Sequence, residues 1–341
     1  MKRKKLKIVL SVVILASASL YWGYQKVTRF AETPLAIGQE TLFKLPTGTG
    51  RVALEGLLVR DKLIHNGRWF PWLLRLEPEL AEFKAGTYRF TPGMTVRQML
   101  QLLASGKEAQ FSARFIEGSR LRDWMQVLQT SKYVKHTLAG KSDAELVKAL
   151  GLPEGATLEG RLYPDTYLYT AGTTDIALLK RAQSRMYKTL QDVWHTRDTS
   201  LPYKTPEQLL TMASIIEKET AVAEERTKVA SVFINRLRLG MRLQTDPTVI
   251  YGMGDSYTGN ITRKDLETPT AYNTYVISGL PPTPIAMPSR ASLEAAANPA
   301  KTDYLYFVAD GKGGHTFTTN LANHNAAVRA YRQVQKEKNE K

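Results

Sequence analysis

Residues 205–220 read TPEQLLTMASIIEKET. Thr205 is a helix cap, and Pro206 fits the first turn, where its missing N–H is no loss. At about 100° per residue, Leu209, Met212, Ala213, Ile215 and Ile216 gather on one apolar face. Lys218 points away from that face. Glu219 falls between Met212 and Ile215, on the protein-facing side near the helix end, and Glu217 lies toward the opposite edge. The helical pattern resumes after a break near 220–223 and runs to Gly240.

A carboxylate among apolar groups holds its proton more tightly, because ionisation without water is costly. If still protonated near neutral pH, it can serve as a general acid. The commoner role for such a glutamate is a solvated charge or an ion-pair member, with Arg226 or Lys228 as partner, and the pattern alone favours that role. The stretch that follows shifts the balance. Asn235, Arg236, Gln244, Thr245, Asp246, Thr248, Tyr251, Asn273, Thr274 and Tyr275 offer hydrogen-bonding groups and aromatic faces in a loop-rich region. A sugar-binding cleft needs such groups, and so do well-capped loops.

Outward from this helix the chain alternates helices and short strands, which predicts an α+β fold. Residues 241–290 are rich in Pro, Gly, Thr and Asn and read largely as loop. Residues 304–309 form a strand, 310–314 a hairpin turn and 316–318 the return strand. A helix starts at Leu321, and 336–341 read as a frayed polar tail. Upstream, 174–195 is an amphipathic helix, and 158–167 (LEGRLYPDTY) is a loop with exposed polar groups. Residues 111–116 read as a strand, followed by helices near 121–128 and 143–150. Residues 41–110 read as a compact module of strand, two helices, strand and capped helix. In it Thr95 caps and Gly106 ends the last helix.

The N-terminus predicts a membrane anchor. Lys2, Arg3, Lys4, Lys5 and Lys7 precede an uncharged run from Ile8 to Tyr24, at the short end of what spans hydrocarbon. Tyr21, Trp22 and Tyr24 suit the far interface, and the cations predict that the near end stays in the cytoplasm. Ala16-Ser17-Ala18 resembles a signal-peptide cleavage site. Leu20, Tyr21 and Trp22 continue the apolar run past it, which favours an uncleaved anchor. The expected organisation is a basic head at 1–7, an anchor at 8–24, a linker at 25–40, a small unit at 41–110, a larger domain at 111–335 and a tail at 336–341.

The 341 residues carry 47 Lys+Arg against 32 Asp+Glu, a formal charge of +15. With 43% hydrophobic residues the balance is that of a globular protein. The surplus suits an anionic lipid surface or cell-wall polymer, and export makes nucleic acid an improbable partner. The absence of cysteine removes disulfides, thiol catalysis and thiolate metal sites. The five histidines show no metal-ligand spacing, although His315 and His324 could approach each other across the hairpin. Ser214 belongs to no nucleophile elbow. The glycine turns at 48–50 and 311–314 lack a phosphate-loop setting. Neither a metal nor a cofactor is expected.

Several long stretches together resemble the YceG-like family of membrane-anchored endolytic peptidoglycan transglycosylases. They are ASIIEKET, ASVFINRLRLGMRLQTDPTVIYGMG, LETPTAYNTYVISGLPPTPIAMPS and YLYFVADGKGGHTFTTNLANHN, with LEGRLYPDTY upstream. The resemblance runs from about residue 40 to the C-terminus. It implies that 41–110 is a LysM-like subdomain contacting glycan and that the larger domain is catalytic. It also implies that the second glutamate of Glu-Lys-Glu, Glu219, is the essential residue. The implied reaction is lytic cleavage of the MurNAc-β-1,4-GlcNAc bond within nascent strands, leaving 1,6-anhydroMurNAc ends and terminating elongation. Gln244, Asp246, Asn273 and Tyr275 are expected to position sugars, with Tyr251, Asn235 and Glu159 as further candidates. The family further implies an inner-membrane location, a periplasmic catalytic part and peptidoglycan synthases as partners. The competing readings are a non-catalytic peptidoglycan-binding scaffold and a hydrolase that uses Glu217 or Asp246 as a second carboxylate.

Overall fold

The computed structural model describes residues 2–339 as a mixed α+β protein that divides into two compact units after Phe111. The first unit begins with α1 (Lys2–Ala31), which is long and apolar enough to cross a membrane. Its C-terminal part is not a free stalk. Val27, Ala31 and Leu35 are buried in the core of the first unit, and Leu35 N–H donates to Met94 C=O at 2.8 Å. The stretch 25–40, expected as a linker, is therefore structured, because its apolar residues bury there.

After α1 come β1 (Thr41–Leu45), α2 (Arg51–Arg60), α3 (Phe70–Leu76), β2 (Gly86–Phe90) and α4 (Val96–Ser105). The two strands pair antiparallel, with Thr41 opposite Phe90 and Leu45 opposite Gly86. Phe43 stacks on Phe90, and Leu54, Leu58, Leu73, Met99, Leu100 and Leu103 close the core beneath them. The sequence pattern dictates α4 closely. Thr95 and Gln98 form a reciprocal capping box, and Gly106 ends the helix at φ +70°, where a side chain would be strained.

The second unit continues with β3 (Phe111–Arg114), α5 (Leu121–Thr130), α6 (Asp143–Ala149), β4 (Thr166–Tyr169) and α7 (Asp175–His195). Strand β4, which begins within the last two residues of the stretch read as a loop, pairs with β3. Then follow α8 (Pro206–Glu219), α9 (Arg226–Arg238), α10 (Asp246–Met253), α11 (Arg263–Glu267) and α12 (Arg290–Ala297). The unit ends with β5 (Tyr306–Ala309), β6 (His315–Thr318) and α13 (Leu321–Asn339). Residues 336–339 of the expected polar tail continue α13. Met1, Glu340 and Lys341 lie outside the described residues.

Helix α8 is the centre of the second core. Its residues from Leu209 to Ile216 are all buried. Helix α12 lies against it through Leu293, Ala295, Ala296 and Ala297, whose small side chains suit close packing. The loop-rich character of 241–290 hides two short helices, α10 and α11. Each opens with a threonine at the N-cap position, Thr245 and Thr262. The β5–β6 hairpin pairs Tyr306 with Thr318 and Ala309 with His315. Asp310 closes its turn by accepting from the N–H groups of Lys312 and Gly314.

Candidate active site

Glu219 is the last residue of α8 and faces a cleft of about 450 Å³. Gln244, Asp246, Tyr275, Tyr306 and His324 share the lining of this cleft. The burial of the apolar α8 face draws Glu219 inward, and its carboxyl is half-buried. It makes no ion pair among the described residues, so neither Arg226 nor Lys228 neutralises it. Thr245 donates its hydroxyl to Glu219 Oε1. Burial pushes the Glu219 carboxyl up to about 7, and the negative Asp246 adds to this. The Thr245 hydrogen bond and His315 pull the other way. At neutral pH the group is therefore poised between acid and base.

The wall around Glu219 is held by buried polar bonds. Thr245 N–H donates to Thr274 Oγ1 at 3.1 Å, and Thr248 and Thr274 share a hydrogen bond of 2.8 Å. Gln244 sits at φ +52°, a conformation uncommon for a residue with a side chain. Arg236, only 7% exposed, holds the segment in that shape. Its guanidinium donates to the carbonyls of Leu305, Arg242 and Leu243 and to Gln244 Oε1. It lies 5.0 Å from the Tyr306 ring centroid. Tyr275 donates its hydroxyl to Asp246 Oδ1 at 2.7 Å, and burial together with Asp246 raises the phenol above its ordinary range.

The structure gathers four of the eight expected residues, Glu219, Gln244, Asp246 and Tyr275, in this cleft. Asn273 does not face it. It is fully buried, donating to the carbonyls of Asp265, Leu266 and Thr268 and accepting from Tyr275 N–H at 2.9 Å. With both ends of its amide engaged it fixes the loop that carries Tyr275. Asn235 likewise donates to the carbonyls of Thr302 and Tyr304, anchoring the chain that enters β5.

Glu159 and Tyr251 belong to a second, larger cleft of about 740 Å³. Glu159 is 5% exposed. It accepts from Leu121 N–H at 3.1 Å and from the Tyr251 hydroxyl at 3.4 Å. Burial pushes its carboxyl up to about 7, against those hydrogen bonds and Arg120.

Glu217 has a different task. Its Oε2 accepts from Ser289 N–H, Ser289 Oγ and Ser292 Oγ at the start of α12. A carboxylate there satisfies orphan donors and suits the positive helix end. The histidines do not converge on a metal. His315 Nδ1 bonds Glu225 Oε2 at 2.7 Å, while His324 stacks on Tyr306. No group of three or more His, Asp or Glu among the described residues could hold an ion.

Sequence reasoning placed Thr245, Arg236 and Thr274 in a polar stretch without giving them roles, and gave none to Tyr306. A signal existed for Thr245, since Thr-Asp-Pro is a helix-start pattern. Nothing local links Tyr306 or His324 to Glu219.

Comparison with known proteins agrees over most of the chain. The profile of the YceG-like family matches residues 43–330. An endolytic murein transglycosylase of Bacillus subtilis (strain 168) is 33% identical over 310 residues, covering 86% of this chain and 85% of its own length. One from Streptococcus pneumoniae serotype 2 (strain D39) is 27% identical over 342 residues, and the match covers 90% of this chain but 61% of that protein. A crystal structure of a YceG-like protein from Listeria monocytogenes superposes with a TM-score of 0.50 at 29% identity, over 84% of this chain and 99% of that one.

Proposed function

The chain belongs to the YceG-like family, and on that premise we propose that it is an endolytic murein transglycosylase with Glu219 as its acid and base. One observation carries the assignment of Glu219. A half-buried carboxyl, without an ion-pair partner among the described residues and holding its proton up to about 7, faces a cleft whose lining includes Tyr275, Tyr306, Gln244 and Asp246.

Ordinary glycosidases need two carboxylates, one as acid and one as base or nucleophile. A lytic enzyme can work with one. Glu219 gives its proton to the glycosidic oxygen as the bond from C1 breaks. The positive charge developing at C1 is shared with the substrate's N-acetyl group. The Glu219 carboxylate then takes the proton of the muramic acid 6-hydroxyl as that oxygen bonds to C1. The proton returns to Glu219, a 1,6-anhydro ring is formed, and no water is consumed. Holding the 6-hydroxyl near C1 replaces a bimolecular attack by an internal one. Gln244, Asp246 and Tyr275 orient the sugars, Thr245 orients Glu219, and Asn273 and Asn235 act through the loops they fix.

The remaining assignments follow from the same premise. Helix α1 is a single-pass anchor in the inner membrane, with the basic head cytoplasmic by its charge and the second unit periplasmic. The strand–helix–helix–strand order of the first unit supports a LysM-like glycan contact. The anchor keeps the enzyme beside newly made strands, where peptidoglycan synthases are its natural partners.

Product mass analysis tests the reading. Wild type incubated with glycan strands should release anhydro-ended fragments whose masses sum to that of the substrate. Glu219→Gln should release none. Products carrying an added water would mean a hydrolase, and binding without any release from wild type would mean a scaffold.

A further inference from the structure

Helix α3 is apolar on more than one side. Phe70, Leu73 and Leu74 point into the first core, yet Trp72 stays 55% exposed and Leu76 46% exposed. A helix that is apolar all round belongs in a protein core or in lipid. Trp72 and Leu76 do not stand alone. With Trp69 and Arg75 they form one wall of a groove of about 910 Å³. The other wall is α1, through residues between Leu15 and Val27. The rings of Trp22 and Trp69, one from each wall, meet edge-on at 6.1 Å.

Among the described residues of this lining Arg75 alone is charged, and none is an acid. Glu32 and Glu77, which follow the two helices in the chain, are both held by Arg97. Walls with so few polar groups give a sugar little to bond. Cations lie instead over three of the rings. Lys26 is 5.3 Å from the Trp22 ring, Arg68 5.4 Å from Trp69 and Arg75 5.0 Å from Trp72. Aromatic rings and long cationic side chains together are what a membrane interface selects.

The depth of the groove follows from α1. About 30 Å of hydrocarbon takes about 20 helical residues. Counted from Ile8, next after the last lysine of the basic head, the far edge of the hydrocarbon falls near Val27. The stretch of α1 that lines the groove then lies almost wholly in the far half of the bilayer, with α3 beside it. Helix α1 is continuous from Lys2 to Ala31, and Val27 and Ala31 are buried in the first core. The first unit therefore cannot lift away from the anchor while the helix stays whole. We propose that α3 is a second membrane contact and that acyl chains of the far leaflet fill the groove between α1 and α3. This rests on the reading of α1 as an anchor and extends it. A spanning helix alone lets a domain turn about its axis, whereas a side contact in lipid fixes how the first unit stands on the membrane.

The chain has no cysteine, so a single introduced one can carry a spin label. Full-length Leu76→Cys, Trp72→Cys, Leu10→Cys and Lys44→Cys proteins are labelled and reconstituted at low density in vesicles of phosphatidylethanolamine and phosphatidylglycerol. Collision with oxygen, which concentrates in hydrocarbon, is compared with collision with a water-soluble nickel chelate. Leu10 reports the anchor, and Lys44, an exposed charge on β1, reports water. Unchanged thermal unfolding midpoints check the fold. Labels at 76 and 72 should favour oxygen several-fold, as at 10, while the label at 44 favours nickel. Water-side values at 76 and 72 with Leu10 still in hydrocarbon would overturn the proposal and leave the anchor standing. Low collision with both reagents would mean that protein covers the groove, and would overturn it as well. Leu10 on the water side would remove the anchor, and the proposal with it.

Discussion

Thr245 stands at the N-cap of α10 but turns its hydroxyl to Glu219 instead of to its own helix. A threonine in that position ordinarily bonds an N–H of the first turn, for about 1 kcal/mol. Here the donor crosses to the end of α8. Asp246, the next residue, borders the same cleft and raises the affinity of Glu219 for its proton. Two adjacent side chains thus act on the acid in opposite directions.

Replacing Thr245 by valine removes the donor and leaves the shape nearly intact. The hydrogen bond favours the ionised carboxylate, so its loss raises the proton affinity of Glu219. A bond to a charged group contributes about 1.5–3 kcal/mol, so the alkaline limb of kcat/KM should move up by roughly one to two pH units. A limb that stays or moves down would show that Thr245 does not act on the ionised form.

The wild-type profile should fall as pH rises through about 7, where Glu219 loses its proton. Asp246→Asn removes a negative neighbour, which makes ionisation easier and draws the limb to lower pH. His315→Gln has the opposite effect, because His315 favours the carboxylate. The pair of profiles, shifted to either side of wild type, is the measurement. Shifts of the same sign would contradict the electrostatic account.

Stability should carry the same signature. Glu219 and Glu159 both bind protons more tightly folded, at about 7, than in a free side chain at 4.5. The native state then holds more protons than the unfolded one between those values. The stability this confers is full below pH 4.5 and is lost as pH rises through 7. Glu219→Gln cannot ionise and escapes the loss. Relative to its value at pH 4, it should gain on wild type by up to about 3 kcal/mol at pH 8. Denaturant midpoints at the two pH values decide the point, and a constant difference would refute it.

Glu217 offers a separate check on the one-carboxylate mechanism. Glu217→Ala strips three donors at the start of α12 of their acceptor and should cost about 2–3 kcal/mol. Glu217→Gln keeps an acceptor there and should still yield anhydro-ended products. Loss of product from a folded Glu217→Gln protein would point to a second catalytic carboxylate.

Much of the architecture was legible because it is local. The Thr95 cap, the Gly106 stop, the Asp310 turn and the inward side of α8 follow from neighbouring residues and from the period of the helix. The inward placement of Glu219 is of this kind. The polar composition of 235–275 suited a cleft and well-capped loops alike. It could not separate residues that face the cleft from those that build it, since both need hydrogen bonds. Asn273 and Tyr275 show the difference two positions apart: the amide is enclosed by three carbonyls of α11 and its end, and the ring reaches the cleft.

The amino-acid pattern was enough for the element order of the first unit, the apolar α1 and the buried face of α8, because each depends on contacts within a few turns, but it missed β4, α10, α11 and α12. Only the tertiary structure decided which groups surround Glu219, which cleft receives Glu159, and that Glu217 caps α12. Those facts depend on segments 26 to 92 positions apart meeting in space. A proton affinity is set by whatever lies within a few ångströms, and no spacing along the chain records that distance.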